Sequence, residues 1–571
     1  MTIEELLLEL STNDIQLRRN AQELIIRGNP EMLDLMIDEI RSHKDALLTL
    51  VGSNGDLWWD PSTILAPARL PLIRLTAEEV RRIAGCVTGG ADNLQDIYPL
   101  APLQQGILFH HLMAREGDPY LLFTQLSFDS RARVDKYIEA VQAVIDRHDI
   151  LRTGVVWEGV SEPVQVVWRK AKLAVDEVQL NSGAGDLAKQ LYNRFNPRRF
   201  RIDITQAPLL RIYISEDQEH DRWLMVELLH HLAGDNTTFE AMQKEVQKYL
   251  LGEGDRLPAP LPFRNLVAQA RLGLSREEHE AYFRRLLGDV KEPTAPFGLL
   301  DVQSDGTGIQ EARMALDEDL ARRIRERARS LKVSAASLYH LGWAQVLAGL
   351  TGREDIVFGT VLFGRMQGGA GSDRVMGMFI NTLPVRIQIG GEGVEASVQR
   401  THTQLADLIR HEHASLALAQ RCSAVPAPIP LFSTLLNYRH SAGAGQDYSE
   451  ERMRAWEGIQ VLYSEGRTNY PLTLSVDDLG DGFRLMAQVN GSIEPMRVCE
   501  LMRARLESLV TALETAPGTA LRQLSWRSDD FFELAGDSIL SMQVGAAARE
   551  AGLNRCTGPI ARPSREEQIE V

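Results

Sequence analysis

The clearest pattern of hydrophobic and polar positions lies between residues 223 and 251. Its first part, Leu224 to Leu229, is almost continuously apolar and predicts a buried strand. Its last part has apolar residues at helical spacing, which predicts a helix with one buried face: Phe239, Met242, Val246, Tyr249 and Leu250. Thr237 and Glu240 have the spacing of a capping box and predict the start of that helix. The polar heptapeptide HHLAGDN is therefore a tight connection from strand to helix.

The same kind of pattern predicts further strands and helices along the chain. Short apolar runs predict strands at 123–128, 165–168, 209–213 and 355–363. Apolar residues at helical spacing predict helices at 320–331 and 498–513. Alternating strands and helices over most of the chain predict an α/β (α+β) protein.

Composition narrows the classes of function. A chain of 571 residues is too long for one hydrophobic core, so we expect several domains. The net charge of -16 argues against a nucleic-acid partner and against an anionic membrane surface. No uncharged apolar run reaches the roughly 20 residues that span a bilayer. The 4 cysteines are scattered without metal-ligand spacing, which predicts no metal site and a reducing, cytoplasmic location.

The heptapeptide between strand and helix contains His230, His231 and Asp235. A histidine at the end of a strand is held rigidly and can still face a cleft. Its unperturbed pKa of about 6.5 lets it exchange protons near neutrality, as a general base for an attacking amine or hydroxyl must. A structural hydrogen-bonded network is the commoner explanation of such a cluster, and the heptapeptide alone leaves both interpretations open.

HHLAGDN resembles the HHxxxDG motif of the condensation domains of non-ribosomal peptide synthetases, and of the wider chloramphenicol acetyltransferase-like superfamily. The resemblance implies that His231 positions or deprotonates the attacking amine, that His230 stands beside it, and that Asp235 fixes the turn. Asn236 stands where the motif has glycine. Because asparagine tolerates left-handed backbone better than most residues, we expect it to serve the turn there. The alternative is that it lines the site differently from glycine.

A second histidine pair precedes the first in the chain. His110, His111 and Leu112 are followed, after four residues, by Gly117 and Asp118, which matches HH(I/L)xxxxGD without a mismatch. This resembles the motif of dual epimerisation/condensation domains, which invert the α-carbon of the donor residue before joining it to the acceptor. The alternative is that the two histidines only pack or face solvent. The sequence does not decide which histidine of the pair takes part.

Other stretches resemble further motifs of the same family. RHDILRT resembles RHExLRT, and we expect its Arg152 to tie a helix to a strand. Arg365, which closes an apolar strand, is our candidate ion-pair partner for Asp235. MGMFINTLPVR matches GxFxNTxxxR, which implies that Asn381 and Thr382 lie at a sheet edge and at the cleft, near a pantetheine arm.

The resemblance also implies the architecture of the main body. Two chloramphenicol acetyltransferase-like lobes, residues 94–272 and 273–523, are expected to meet in a V-shaped pseudo-dimer, with His231 facing a tunnel at the junction. Residues 431–438 resemble a strand that reaches across the two lobes. HEHASL, residues 411–416, does not match HExxH and has no third ligand at a helpful spacing. Its position in the family implies instead a helix beside the tunnel.

The sequence pattern of residues 1–55 predicts a small separate unit. A short helix, a hairpin that turns near residues 19–22 and a helix that begins at Pro30 follow one another. This order resembles the tubulysin-type docking domains, whose hairpin captures the C-terminal peptide of the preceding synthetase protein by strand addition. The alternative is an extension that packs only on its own chain. Residues 56–93 are expected to be a linker with one short helix, capped at Thr76.

The last segment, residues 524–571, resembles part of a peptidyl carrier domain. DDFFELAGDSILSMQ resembles the attachment motif, and Ser538 stands where 4'-phosphopantetheine would be attached. A full carrier needs about four helices and about 80 residues, close to the smallest size that folds alone. Since only one helix is evident, we expect a truncated carrier in which Ser538 is poorly modified.

The resemblance implies an amide-forming acyltransferase that joins carrier-tethered thioesters after L-to-D epimerisation of the donor residue. The expected partners are an upstream synthetase subunit and the donor and acceptor carrier domains, which bring 4'-phosphopantetheine. Two other functions stay open: an acyltransferase that uses a free small acceptor, and a catalytically silent remnant that serves docking only. Turnover with a free acceptor and no carrier would favour the first of these.

Overall fold

The computed structural model describes residues 6–524, apart from 7–8, 11–12, 14, 21–22, 45–46, 49–69, 71, 115, 303–307, 366–373, 441–449, 466–467 and 491–492. The carrier-like segment from residue 525 onwards, including Ser538, lies outside the described residues, as does the first part of the expected linker, 56–69.

The N-terminal unit contains the predicted hairpin and the helix after it. Strands β1 (Gln16–Asn20) and β2 (Glu23–Arg27) pair antiparallel, and helix α1 (Pro30–Ser42) follows them. Its core consists of a few apolar side chains: Leu6, Leu10, Ile15, Leu17, Met36, Ile40 and Leu47. Within the described residues the hairpin forms a sheet of its own with two strands, so its outer edges pair with no other strand.

The first lobe combines, in its described part, seven strands of its own with six helices, if the helix of the preceding linker is counted with it. The strands are β3 (Leu94–Pro99), β4 (Leu121–Phe128), β5 (Thr153–Val156), β6 (Val164–Trp168), β7 (Ala174–Glu177), β8 (Leu210–Asp217) and β9 (Arg222–His230). The helices are α2 (Ala77–Cys86), α3 (Pro102–Met113), α4 (Arg131–Arg147), α5 (Leu187–Phe195), α6 (Asn236–Leu250) and α7 (Arg264–Leu272). The predicted capping of α2 is confirmed, because Thr76 and Glu79 form a reciprocal capping box.

The second lobe also has seven strands and seven helices among the described residues. The strands are β10 (Ile309–Ala315), β11 (Asp355–Leu362), β12 (Asn381–Gln388), β13 (Thr434–His440), β14 (Ile459–Glu465), β15 (Leu472–Asp478) and β16 (Phe483–Asn490). The helices are α8 (Arg276–Leu287), α9 (Glu318–Leu331), α10 (Ala335–Thr351), α11 (Val394–Arg410), α12 (Leu416–Arg421), α13 (Glu450–Ala455) and α14 (Pro495–Thr515).

Each lobe has a hydrophobic core on its main sheet. In the second lobe, six strands follow the order β10-β16-β15-β13-β11-β12, with β13 parallel to both of its neighbours. Helix α10 is buried on every side from Ser337 to Leu347, because its sequence is apolar all round rather than along one stripe. In the first lobe, the sheets follow β14-β4-β9-β8-β7 and β3-β6-β5. The mixed helix and sheet content confirms the predicted α/β (α+β) class.

Strand β14 connects the two lobes. It belongs to the second half of the chain but pairs antiparallel with β4 at the edge of the first lobe's sheet, Ile459 facing Phe128. The prediction that residues 431–438 cross between the lobes is therefore wrong. Those residues lead into β13, which lies inside the second sheet, where its apolar side chains are buried on both faces. The first lobe's core also takes in Met378 and Phe379, so the first half of the chain has no complete core alone.

In the described part of the chain, no helix is both long enough and apolar enough to cross a membrane.

Candidate active site

The histidine turn joins the end of β9 to the start of α6. His230 is the last residue of β9 and pairs with Leu121 of β4, and residues His231–Ala233 form one turn of 3-10 helix. Helix α6 then begins at Asn236, and Asp235 is its N-cap. The Asp235 carboxylate accepts a hydrogen bond from the Thr238 N–H at 3.0 Å.

Two predictions about this turn are wrong. Thr237 and Glu240 form no capping box, because the helix begins earlier and the Asp235 carboxylate occupies the cap position. Asn236 is helical and not left-handed, so it does not serve the turn as expected. Its side chain instead donates to Glu240 at 2.8 Å, one helical turn further on.

Asp235 holds the histidine turn against the second lobe. Arg365 Nη2 donates to its Oδ1 at 3.2 Å, and the Phe379 N–H donates to its Oδ2 at 3.2 Å. The Arg365 guanidinium lies over the Phe379 ring at 3.9 Å and donates to the Val375 carbonyl at 2.5 Å. Both charged side chains are almost fully buried. The carboxylate is thus surrounded by protein donors from both lobes and has no face for a substrate.

Asp118 connects the two histidine pairs. Its Oδ2 lies 2.5 Å from His111 Nδ1 and 3.0 Å from His230 Nε2, and all three side chains are buried. Burial alone would raise the pKa of the Asp118 carboxyl, but hydrogen bonds from the two imidazoles hold it far below its usual range. His230 Nδ1 accepts the Leu232 N–H at 3.1 Å, so the proton of a neutral His230 ring lies on Nε2, which donates to Asp118.

These three residues form the one group in the described part of the chain that could hold a metal ion. A tetrahedral zinc ion with bonds of about 2.0–2.2 Å keeps its ligand atoms about 3.3 Å or more apart. The separations of 2.5 and 3.0 Å to one shared oxygen fit hydrogen bonds better. The absence of a metal stays a prediction.

His231 is the partly exposed member of its pair. Its Nδ1 lies 3.1 Å from the Gly234 carbonyl oxygen, to which it can only donate, so Nε2 is left as an acceptor in the neutral ring. The rings of Tyr120 and Phe239 flank it at 6.5 and 5.5 Å. Burial lowers the pKa of His231 to about 4, against the opposing hydrogen bond to Gly234. The ring is therefore neutral near pH 7 and can accept a hydrogen bond from an amine.

The second histidine pair, His110 and His111, also has one buried ring and one partly exposed ring. His111 is buried against Asp118, whereas His110 is partly exposed, and its ring makes no hydrogen bond with any residue that the structure describes. The His110 ring lies 5.9 Å from Tyr120, and burial lowers its pKa. Tyr120 thus neighbours both of the partly exposed histidines, His110 and His231.

Gly117 and Asp118 form the turn that follows α3. Gly117 has φ +64°, and a Cβ at this position would collide with the Arg198 carbonyl. The Asp118 N–H donates to the Pro197 carbonyl at 2.7 Å. Glycine is thus required by both the backbone angle and the close approach of the neighbouring chain.

Arg152 and Asn381 are buried and make structural contacts. Arg152 Nη1 donates to Gln95 at 2.8 Å and also to the Trp168 carbonyl, which ties the turn after α4 to β3 and β6. Asn381 begins β12, an edge strand of its sheet, and Thr382 follows it, equally buried. The Asn381 amide donates to the carbonyls of Glu412 and Ala414, both at 2.7 Å.

The Asn381 contacts explain why residues 411–416 are not the predicted helix. Helix α11 ends at Arg410, the turn that Asn381 binds comes next, and Ser415 caps the start of α12. Within that turn the Glu412 side chain is buried, which raises its pKa to about 7 against the smaller opposing effect of the Gly364 N–H.

Sequence reasoning missed two residues at the histidine turn. Gln104, fully buried on α3, donates to the Leu232 carbonyl at 2.8 Å and so helps to hold the histidine turn in place. Tyr120 accepts the His231 N–H through its carbonyl at 2.8 Å. The only signal for Tyr120 was its place two residues after Asp118. Gln104 carried no signal, because its contact spans 128 residues.

A separate cleft of about 640 Å³ opens between the lobes, lined among others by Gln105, Ala270, His279 and His413. Its lining does not include His231, so it is not the site built by the histidine turn.

Two lobes that share a strand, with a histidine turn pinned at their junction, define the chloramphenicol acetyltransferase-like class of fold. Solved structures with this fold include the condensation domain of the monacolin K polyketide synthase, with a TM-score of 0.55 and 21% identity over 75% of this chain and 100% of that one. The first condensation domain of the calcium-dependent antibiotic synthetase, solved with a substrate analogue, has a TM-score of 0.55 and 14% identity, covering 76% of this chain and 99% of the other.

The chain belongs to the condensation-domain family, whose model matches residues 94–530. It is similar to the malpibaldin synthetase of Mortierella alpina, with 46% identity over 89% of this chain and 9% of that protein. It is similar also to the malpinin synthetase of the same organism, with 49% identity over 81% of this chain and 6% of the synthetase. One protein of the linear gramicidin synthase of Brevibacillus parabrevis is 30% identical over 76% of this chain and 6% of its own length. The chain thus spans less than a tenth of these relatives.

Proposed function

We propose that this chain catalyses amide formation between two thioester-tethered substrates, as a condensation domain of non-ribosomal peptide synthesis. The observation that carries the proposal is the state of His231: its Nδ1 is bound to Gly234, its ring is partly exposed, and its turn is pinned by both lobes. The names of the relatives, which are peptide synthetases, support the same class of reaction.

In this proposal, His231 Nε2 accepts a hydrogen bond from the acceptor amine and orients it towards the donor thioester. A pKa of about 4 makes the ring a weak proton acceptor, so positioning contributes more than full deprotonation before attack. The thioester is already activated, and holding two substrates together can supply a large part of the rate. Asp235 acts through the turn and touches neither substrate. The 4'-phosphopantetheine arms belong to the partner carrier domains and supply the tethered thioesters.

The test is condensation between donor and acceptor carriers, followed by intact-mass analysis. His231→Ala should lower kcat at least tenfold, because the amine loses its positioning acceptor. His220→Ala is the matched control, since that ring is 54% exposed and pairs only with Asp217 within the described residues. Wild-type activity in His231→Ala would reject the proposed role. Turnover of a free acceptor in place of the carrier would favour the small-acceptor acyltransferase, and no turnover by wild type would favour a silent remnant.

Epimerisation of the donor residue is a second candidate function, favoured by the exposure of His110. Of the extra pair, His110 is the ring that a substrate can reach, whereas His111 is occupied by Asp118. A base removes the α-proton, the electron pair moves to the thioester oxygen as an enolate, and a proton returns to the opposite face of the carbon. His110 and His231, which both neighbour Tyr120, are the candidate proton carriers.

An L-configured donor on its carrier should exchange its α-proton in deuterated solvent, as followed by mass spectrometry. We expect His110→Ala to abolish this exchange and to leave the condensation of a D-configured donor within about twofold of wild type. Exchange that persists at the wild-type rate in His110→Ala would exclude His110 as the proton carrier. No exchange by wild type would leave a plain condensation domain.

We also propose that residues 1–55 dock the preceding protein of the synthetase. A small core and a two-stranded sheet whose edges pair with no other described strand support strand addition by an extended peptide. The chain without residues 1–55 should lose affinity for the C-terminal peptide of its upstream partner, measured by calorimetry, and should keep condensation activity with isolated carriers. Unchanged affinity would mean that the segment packs only on its own chain.

A further inference from the structure

We infer that Asp118 is a positioning residue for amide formation itself, so that the second histidine motif supports the first motif whether or not the donor is epimerised. The inference rests on the proposed condensation function. It concerns the turn formed by residues 117–120, which follows α3 and contacts His230 and His231.

The side-chain contacts of Asp118 lead to the histidine turn. One carboxylate oxygen accepts from His230 Nε2 at 3.0 Å, and the opposite nitrogen of the same ring accepts the Leu232 N–H at 3.1 Å. The ring of His230 therefore bridges Asp118 and the backbone immediately after His231. Loss of the carboxylate removes the acceptor that fixes the His230 tautomer, so Nδ1 would no longer be reserved for Leu232.

The backbone of the same turn holds His231. The second oxygen of Asp118 accepts the Tyr120 N–H at 2.9 Å, and the Tyr120 carbonyl accepts the His231 N–H at 2.8 Å. The next residue, Leu121, pairs with His230 across the β4–β9 ladder. One carboxylate thus reaches both histidines of the condensation motif, His230 through its ring and His231 through the backbone of Tyr120.

The turn is rigid enough to act as such a support. The Asp118 N–H is bound to Pro197, and Arg201 donates to the carbonyls of His111 and Ala114 at the end of α3. His111 completes the arrangement by donating to the same carboxylate at 2.5 Å. In this arrangement His111 binds Asp118, and His110 is the ring of the pair that remains accessible to the substrate.

The arrangement predicts a defect in condensation that epimerisation does not explain. With a D-configured donor, no inversion is needed before the amide bond forms. We expect Asp118→Asn to lower kcat for this donor about 10- to 100-fold with little change in KM, because a small displacement of a positioned group has effects of this size. Asp118→Ala should lower kcat at least as much. Asp217→Asn is the matched control, since that buried carboxylate also accepts from a histidine, His220, but lies at the opposite end of the β8–β9 ladder from His230.

A pH profile separates positioning from loss of folded protein. The titratable groups around His231 are His230, Asp235 and Asp118, with Tyr120 beside the ring. Removing the negative charge of Asp118 removes one contribution that raises the pKa of His231. After correction for protonation of the acceptor amine, the acid limb of kcat/KM should therefore move to lower pH in Asp118→Asn. A simple decrease in the fraction of folded enzyme would lower the whole profile without moving this limb.

The outcomes are distinct. A kcat loss in both Asp118 variants, together with the shifted acid limb in Asp118→Asn and near wild-type condensation by Asp217→Asn, supports the inference. Wild-type kcat for the D-configured donor in Asp118→Asn, with α-proton exchange lost, would overturn it and restrict the motif to epimerisation. An unshifted profile of lower amplitude would also overturn it. Absence of condensation by the wild-type chain would instead reject the proposed function.

Discussion

The ion pair between Arg365 and Asp235 joins the two lobes behind the histidine turn, and Arg365→Met tests its contribution to stability. Methionine retains an apolar contact with the Phe379 ring but removes the charge and two donors. One donor binds Asp235 at 3.2 Å, and the other binds the Val375 carbonyl at 2.5 Å. The Asp235 carboxylate would keep its contacts with Thr238 and the Phe379 N–H but would stay buried without a counter-charge.

The expected loss is about 3–5 kcal/mol in the free energy of unfolding. This is the typical cost of removing one partner from a buried ion pair, and the side chains here are only 2% and 0% exposed. Arg284→Met is the matched control. Its pair with Glu280 lies on the surface, with side chains 66% and 32% exposed, so its loss should be below about 1 kcal/mol.

Urea denaturation followed by tryptophan fluorescence measures both variants under the same conditions. Arg365→Met should unfold at a clearly lower urea concentration than Arg284→Met. The double variant Arg365→Met with Asp235→Asn should be less destabilised than the two single changes added together, because it removes the uncompensated charge. Equal midpoints for the two arginine variants, or additive losses in the double variant, would refute this account of the lobe junction.

Three further predictions follow from the described groups. Burial lowers the pKa of His231 to about 4. Once divided by the fraction of unprotonated acceptor amine, kcat/KM with a D-configured donor should therefore be constant from pH 7 to about 5 and fall as the ring protonates near 4. An acid limb near 6.5 in this corrected profile would contradict the expectation. The pKa of Glu412 rises from 4.5 to about 7 in the fold, so its burial costs stability increasingly as pH rises between these values. Glu412→Gln should therefore raise the free energy of unfolding at pH 8 by up to about 3 kcal/mol, with no charge-related gain at pH 4, and equal effects at both pH values in urea titrations would refute it. Gly117→Ala should lower the thermal midpoint more than Gly90→Ala, because the two glycines have nearly the same φ, +64° and +67°, but only the first meets the Arg198 carbonyl. Equal shifts in calorimetry would exclude the collision.

The local pattern of hydrophobic and polar residues was sufficient to predict many of the strands and helices. The apolar run at 224–229 lies within β9, and the helical face from Phe239 to Leu250 lies on α6. The N-terminal hairpin and its following helix were also predicted, because turn residues and alternation act over only a few positions. Family resemblance added the two-lobed architecture, which these local signals do not specify.

Contacts between residues far apart in the chain could not be predicted from the sequence. His230 and Asp118 are 112 residues apart, and neither motif indicates that one carboxylate serves both histidine pairs. The start of α6 was misplaced because Thr237 and Asp235 are both good capping residues, and tertiary contacts to the second lobe decide between them. The crossing strand was misassigned because β13 and β14 have similar strand patterns, and only the pairing with β4 distinguishes them.

Strand β14 has a consequence for engineering this enzyme family. An exchange of lobes cut between residues 272 and 273 would replace the edge strand of the first sheet, together with Met378 and Phe379 of its core, by segments of another protein. Where the new strand does not pair, the recipient would expose the hydrogen-bonding edge of β4, a surface that favours aggregation. Chimeras intended to change the first lobe alone should therefore carry residues 375–380 and 455–465 with it, although these segments lie far away in the chain.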